Sequence, residues 1–168
     1  MTANPLTTAR PVESFDYGTL GVVWRIESPE TEGRFSVVEH PIRPRTLAAP
    51  LHRHHNEDEY SYVLEGRLGA LLGERVVEAG VGEWVLKPRG EWHTFWNAGE
   101  TECRIIEVIS PAGFENYFRE LAEIFRAGGD AGPDPARIGE LAGRYGLDMD
   151  LASVPELCRR FDLWHPMA

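Results

Sequence analysis

The run HRHHNEDEYSYVLEG, residues 52–66, puts two histidines two positions apart and a glutamate five positions after the second. In an extended strand, residues two apart project from one face, so the His52 and His54 imidazoles point the same way. His55 takes the opposite parity and reads as a surface residue. The gap 55–58 leaves room for a bend before Glu59. From there the pattern alternates, with Glu59, Ser61, Val63 and Glu65 on one face and Tyr60, Tyr62 and Leu64 on the other. Gly66 permits a sharp turn at the end. Imidazole nitrogen and carboxylate oxygen are ligands that first-row divalent metals accept. A polar, histidine-rich surface loop has the same composition, and this run alone does not separate the two.

A second run, GEWVLKPRGEWHTFWN at residues 82–97, reads as a strand, a Pro-x-Gly turn and a histidine entering the next strand. Proline fixes φ before the bend and glycine tolerates positive φ after it, so His93 is aimed by the backbone. The two runs resemble the paired signatures of the cupin superfamily, G-x5-H-x-H-x3/4-E-x6-G and G-x5-P-x-G-x2-H-x3-N. The second is matched by Gly82, Pro88, Gly90, His93 and Asn97. The first is matched by His52, His54, Glu59 and Gly66, with Thr46 where the opening glycine would stand. The resemblance implies an all-β fold, a double-stranded β-helix of jelly-roll type. It also implies one divalent transition metal per chain (Mn, Fe, Co, Ni, Cu or Zn) held by His52, His54, Glu59 and His93.

The flanking sequence fits a single small barrel. Strand-like runs occupy 21–26, 34–40, 60–65, 67–72, 75–78, 84–87, 94–96 and 101–109, cut by turn residues such as Gly73 and Glu74. Many short strands without an intervening helical pattern predict an antiparallel sandwich or barrel over residues 16–110. Residues 1–15 are polar and read as an N-terminal arm that pairs with an edge or frays. After Ser110 the period changes. Phe114, Tyr117, Phe118, Leu121, Ile124 and Phe125 form one helical stripe ended by Gly128. Asp134 and Pro135 predict the start of a second helix, and Ser153 with Glu156 a capping box for a third. Residues 111–168 are thus expected to be an α-helical extension packed on the barrel or on a second subunit. Its opening resembles the extensions of small bacterial cupins of quercetin-dioxygenase-like type.

Composition narrows the partners. The 168 residues carry 42% hydrophobic and 26% charged residues, ordinary for one globular domain. With 17 basic against 27 acidic residues the formal charge is −10, and Lys87 is the single lysine. No basic footprint exists for nucleic acid. No apolar run is long enough to span a membrane, and the first ten residues lack the charged and apolar regions of a signal peptide. Cys103 and Cys158 form no CxxC pair, which fits a reducing cytoplasm. The exposed stripe of the first tail helix and the arm predict a homodimer.

The expected partner is a small molecule. Three imidazoles and one carboxylate leave a metal with open positions, the arrangement of a catalytic site. Glu59 is the candidate catalytic group, as a permanent ligand or as a base that leaves the metal. Ser61 and Val63 are expected to line the cavity by parity. Phe95, which shares parity with His93, is the expected wall for a planar substrate. Trp92, Thr94 and Trp96 fall on the other face, toward inter-sheet core or subunit interface. Glu107 is expected at an exposed edge, and would be an acid/base group if buried. Three functions remain open. One is an oxygen-dependent dioxygenase acting on a flavonol-like or other enolic aromatic. The second is a non-oxidative isomerase, decarboxylase or cyclase, and the third a non-catalytic binding module.

Overall fold

The computed structural model describes residues 12–168. The strands are β1 (Ser14–Asp16), β2 (Gly21–Ile26), β3 (Ser36–Ile42), β4 (Leu51–His54), β5 (Asp58–Glu65) and β6 (Leu68–Leu72). They continue as β7 (Arg75–Ala79), β8 (Trp84–Lys87), β9 (His93–Asn97), β10 (Cys103–Ser110) and β11 (Leu147–Asp150). Three helices, α1 (Glu115–Gly128), α2 (Pro135–Arg144) and α3 (Val154–Phe161), lie in the C-terminal part. Two antiparallel sheets, ordered β1-β2-β3-β10-β5-β8 and β11-β4-β9-β6-β7, face each other. This is the mostly-β, jelly-roll architecture expected. No helix among the described residues is long and apolar enough to cross a membrane.

Period-two alternation sets the inner face. In β5, Glu59, Ser61 and Val63 are buried while Tyr60, Tyr62 and Leu64 are partly exposed. In β10, Cys103, Ile105, Glu107 and Ile109 are buried, and register places Glu107 beside Ser61. Gly66, at φ +77°, turns the chain from β5 to β6 where a Cβ would lie 2.7 Å from the Glu102 carbonyl. Only glycine meets both demands. Between the sheets, Ile42, Val63, Leu68, Val85 and Ile105 form an apolar core.

The arm divides. Residues 1–11 lie outside the described residues, whereas Ser14–Asp16 pairs antiparallel with β2. The tail packs on the barrel and departs from the sequence reading at β11 and at Ser153. Its apolar stripe is covered by its own chain, Phe114, Tyr117 and Ile124 packing with Trp24, Val38, Ile109 and Leu141. Leu147–Asp150, expected to be part of a helical region, is a strand that pairs with β4, His54 opposite Leu147 and His52 opposite Met149. Four residues after a helix-ending glycine carry too short a pattern to distinguish from a turn. Finally, Ser153 does not cap α3. Its hydroxyl accepts from the Leu51 amide at 3.0 Å and donates to the Asp150 carbonyl at 2.6 Å, tying the tail to β4. Asp134 does cap α2, accepting from Ala136 N at 2.9 Å.

Helix α3 covers the outer side of the five-stranded sheet. Trp96 stacks on Phe161 at 4.2 Å, with Leu47, Leu71 and Leu157 around it. The indole fits because it lies across Gly69, where a Cβ would come within 2.2 Å of Trp96 Nε1. Gly69→Ala is therefore expected to displace the indole and lower stability by about 1–3 kcal/mol, as overpacked cores do. Urea unfolding followed by tryptophan fluorescence measures this, and an unchanged midpoint would contradict the packing.

Candidate metal centre

Strand β4 sets His52 and His54 on the inner face, His52 pairs directly with His93 of β9, and Glu59 arrives from β5 of the facing sheet. One ligand atom from each of the four lies within 4.8 Å of the others. His54 Nε2 and His93 Nε2 are each 3.5 Å from a Glu59 carboxylate oxygen. All four side chains are buried.

Each ring is held from behind. His52 Nδ1 lies 2.7 Å from the Pro50 carbonyl, and His93 Nδ1 lies 3.0 Å from the Glu91 carbonyl. A carbonyl only accepts, so Nδ1 carries the hydrogen in both rings and Nε2 is left to face the centre. His54 Nδ1 lies 3.4 Å from the buried Glu57 carboxylate, and its ring packs edge-on against Phe114 at 4.4 Å.

The protonation states match what a metal requires. Burial pushes His52 well below its ordinary value, and repulsion from His93 and His54 adds to this. Burial also lowers His93, against the pull of Glu59. Burial alone would raise Glu59, but Lys87 and His54 outweigh it and hold the carboxylate well below the usual range. Neutral imidazoles and an ionised carboxylate are the metal-binding forms. His93 Nε2 is buried with no hydrogen-bond partner among the described residues, and a cation at the centre supplies what it lacks. The donor set, three nitrogens and one oxygen, fits a divalent transition metal without selecting one.

Beside this cluster lies a buried charge group that sequence reasoning missed. The Lys87 ammonium is 2.6 Å from Glu107 and 3.0 Å from Glu59 Oε2, with no exposed surface. It sits 4.3 Å from the centre of the Phe95 ring. Glu107 is therefore not at an exposed edge. Its strand is central in the six-stranded sheet, and its carboxylate accepts from Ser61 Oγ at 2.9 Å. Burial pushes Glu107 up to about 7, Lys87 pulling it down and the Glu59 charge pushing it up. Lys87 itself is raised, because Glu107 and Glu59 together outweigh its burial.

The cluster opens into a cavity of about 650 Å³. His52, His54, Glu59 and Glu107 contribute its polar side, and Phe95 is part of its wall. Ser61 and Val63 point inward but do not line it. Ser61 is engaged with Glu107, and Val63 is packed in the inter-sheet core. Parity fixes a residue's face, not its depth along the strand. Walls the sequence reading did not foresee come from the tail: Phe114, Phe118 and Phe125 at one end, Trp164 and His165 near the C-terminus. His40 of β3 also lines it. His40 shares parity with Val38 and Ile42, so the alternation of β3 was a usable signal. His55 is exposed and bonds Asp148 at 2.8 Å, away from the centre.

These shifts give a pH dependence in metal-free protein. Burial pushes His40 down to about 4 from an ordinary 6.5, and His52 and His93 are lowered too. Below about pH 6.5 the unfolded chain takes up protons that these folded rings refuse, so stability falls as pH is lowered. Glu107, raised to about 7, opposes them as one group against three. Each net proton contributes about 1.4 kcal/mol per pH unit. Urea midpoints in chelator should thus drop between about pH 6.5 and pH 5, and a flat or rising profile would contradict the burial of these rings.

A cupin domain model matches residues 39–109. Among solved structures, KdgF from Halomonas sp. is similar at 15% identity and TM-score 0.54, covering 64% of this chain and 91% of its own. A predicted oxalate decarboxylase from Thermotoga maritima is similar at 20% identity and TM-score 0.54, over 60% and 91%. The polyketide cyclase RemF from Streptomyces resistomycificus is similar at 29% identity and TM-score 0.51, over 59% and 73%. No curated protein matches the chain at a significant level. Residues 39–109 thus resemble a cupin domain, within a chain that shares the fold of these structures.

Proposed function

We propose that this chain is a metal-dependent enzyme that moves protons on an enolisable aromatic or polyketide-like substrate, in a non-oxidative cyclisation or isomerisation. The observation that carries the reading is the Glu59–Lys87–Glu107 group at the polar side of a 650 Å³ cavity with aromatic walls. A divalent ion at His52, His54, Glu59 and His93 would supply a Lewis acid for an enolic or carbonyl oxygen. Glu107, poised at about 7, is suited to take up and return a proton near neutral pH. Lys87 keeps the neighbouring Glu59 ionised. Phe95 and the tail aromatics give a planar substrate its faces and keep water out. The similarity to RemF, a polyketide cyclase, supports the same reaction class.

A second reading keeps the same site and substrate type: an oxygen-dependent dioxygenase on a flavonol-like or other enolic aromatic. It is supported by the four-residue ligand cluster opening on a cavity with an aromatic wall at Phe95. Purified protein is expected to carry about one divalent ion per chain. It should convert enolic aromatics or poly-β-ketones anaerobically, to products of unchanged mass or mass less one water. Chelation should abolish turnover, and Glu59→Gln should lower kcat by about 100-fold or more. Stoichiometric oxygen uptake would favour the dioxygenase. Metal-loaded protein that binds these compounds without turnover would be a binding module.

We also propose a cytoplasmic homodimer. The buried free thiols of Cys103 and Cys158 fit a reducing compartment. The outer face of the six-stranded sheet supplies an apolar surface in place of the covered α1 stripe. There Tyr60 lies beside Leu86 and Tyr62 beside Trp84, with Ile106 and Val108 in the next strand. Trp84 and Leu86 are 52% and 54% exposed. Light scattering should give twice the chain mass for the wild type and a monomer for Leu86→Glu. A monomeric wild type would refute this.

A further inference from the structure

His40 lines the cavity from β3, yet it belongs neither to the metal-ligand group nor to the Lys87 charge group. Its ring is 2% exposed. Nδ1 lies 2.9 Å from the Gly21 carbonyl, which only accepts, so Nδ1 carries the hydrogen. In the neutral ring Nε2 is then a bare acceptor. Burial keeps the ring neutral, its value pushed down to about 4 although the Gly21 bond and Glu59 pull upward. No hydrogen bond to Nε2 is made by the described residues, and Nε2 is not among their fully buried unpartnered atoms, so it is reached from the cavity. The ring is fixed edge-on against Phe118 at 5.3 Å and lies 6.4 Å from Phe95, both cavity walls.

An imidazole acceptor that faces only the cavity can take a hydrogen bond from the hydroxyl of a bound molecule. We infer that His40 Nε2 is a specificity-determining anchor for a second substrate hydroxyl, distinct from the enolic oxygen that faces the metal-ligand residues. The substrate class narrows accordingly to a polyhydroxylated planar aromatic, with a phenolic O–H on the ring edge between Phe95 and Phe118. This rests on the proposed reading of the cavity as the site of an enolic aromatic. His165, on the tail side of the same cavity, has the opposite tautomer. Its Nδ1 accepts from the Met167 amide at 3.1 Å, so its Nε2–H is a donor. The cavity therefore presents an acceptor from the barrel and a donor from the tail, which suits hydroxyl and carbonyl oxygens on one ring system.

Calorimetric titration of full-length protein of measured metal content tests this, with two probes. Quercetin carries phenolic hydroxyls besides the enolic one, and unsubstituted flavonol carries the enolic one alone. Wild type should bind quercetin about 10-fold more tightly, the scale of one hydrogen bond made in a buried site. His40→Phe keeps a flat ring between Phe95 and Phe118 and should erase that preference while the metal content stays the same. His40→Asn restores an acceptor and should recover part of the preference. Equal affinity of wild type for both probes, no binding of quercetin, or an undiminished preference in His40→Phe would each overturn the assignment. The wild-type comparison decides even if His40→Phe does not fold. If the preference is absent while turnover stays metal-dependent, His40 alone is refuted. If the preference is present in a protein without metal-dependent turnover, the proposed reaction fails and the anchor stands.

Discussion

The Lys87 ammonium lies between two carboxylates in the interior of the barrel, 2.6 Å from Glu107 and 3.0 Å from Glu59. A charge with no water around it persists only when paired, and two carboxylates this close coexist only with a cation between them. Lys87 therefore sets the state of its surroundings. It keeps Glu59 ionised next to the His52, His54 and His93 rings and draws Glu107 into a bonded position with Ser61. Its charge also rests over the face of Phe95. The metal-ligand cluster, the candidate proton carrier and one substrate wall all depend on that single buried cation.

The barrel and the tail divide the remaining work. The two sheets supply every metal-ligand candidate, on strands whose pairing fixes the positions of the rings. The tail supplies much of the cavity wall and steadies the ligand strand from its edge. Strand β11 pairs along β4 opposite His52 and His54, and Ser153 holds the Leu51 amide at its start. Phe114, at the beginning of α1, braces the His54 ring. The cavity wall and the candidate ligand cluster are thus linked through the tail's contacts with one short strand.

The sequence made the four ligand candidates legible because their spacing exploits period two. His52 and His54 share a face of one strand, Glu59 starts another, and Pro88 with Gly90 aims His93. Phe95 followed from the same parity. Ser61 and Val63 followed it to the correct face but not to the cavity, since the neighbours at each level of the strand decide what fills the space there. The serine expected to cap α3 instead serves β4, because the unpaired Leu51 amide offered its hydroxyl a partner from another part of the chain.

Local pattern by itself determined the two-sheet architecture, the helical tail and the histidine–glutamate set. Tertiary structure alone decided which way β8 faces. On composition its large apolar residues, Trp84 and Leu86, would turn inward and its lysine outward. The register with β5 does the reverse, placing Lys87 opposite Glu59 and Trp84 opposite Tyr62 on the outer surface. A strand's face is set by the whole sheet it joins. Here inward carboxylates on β5 and β10 made the lysine the better interior residue.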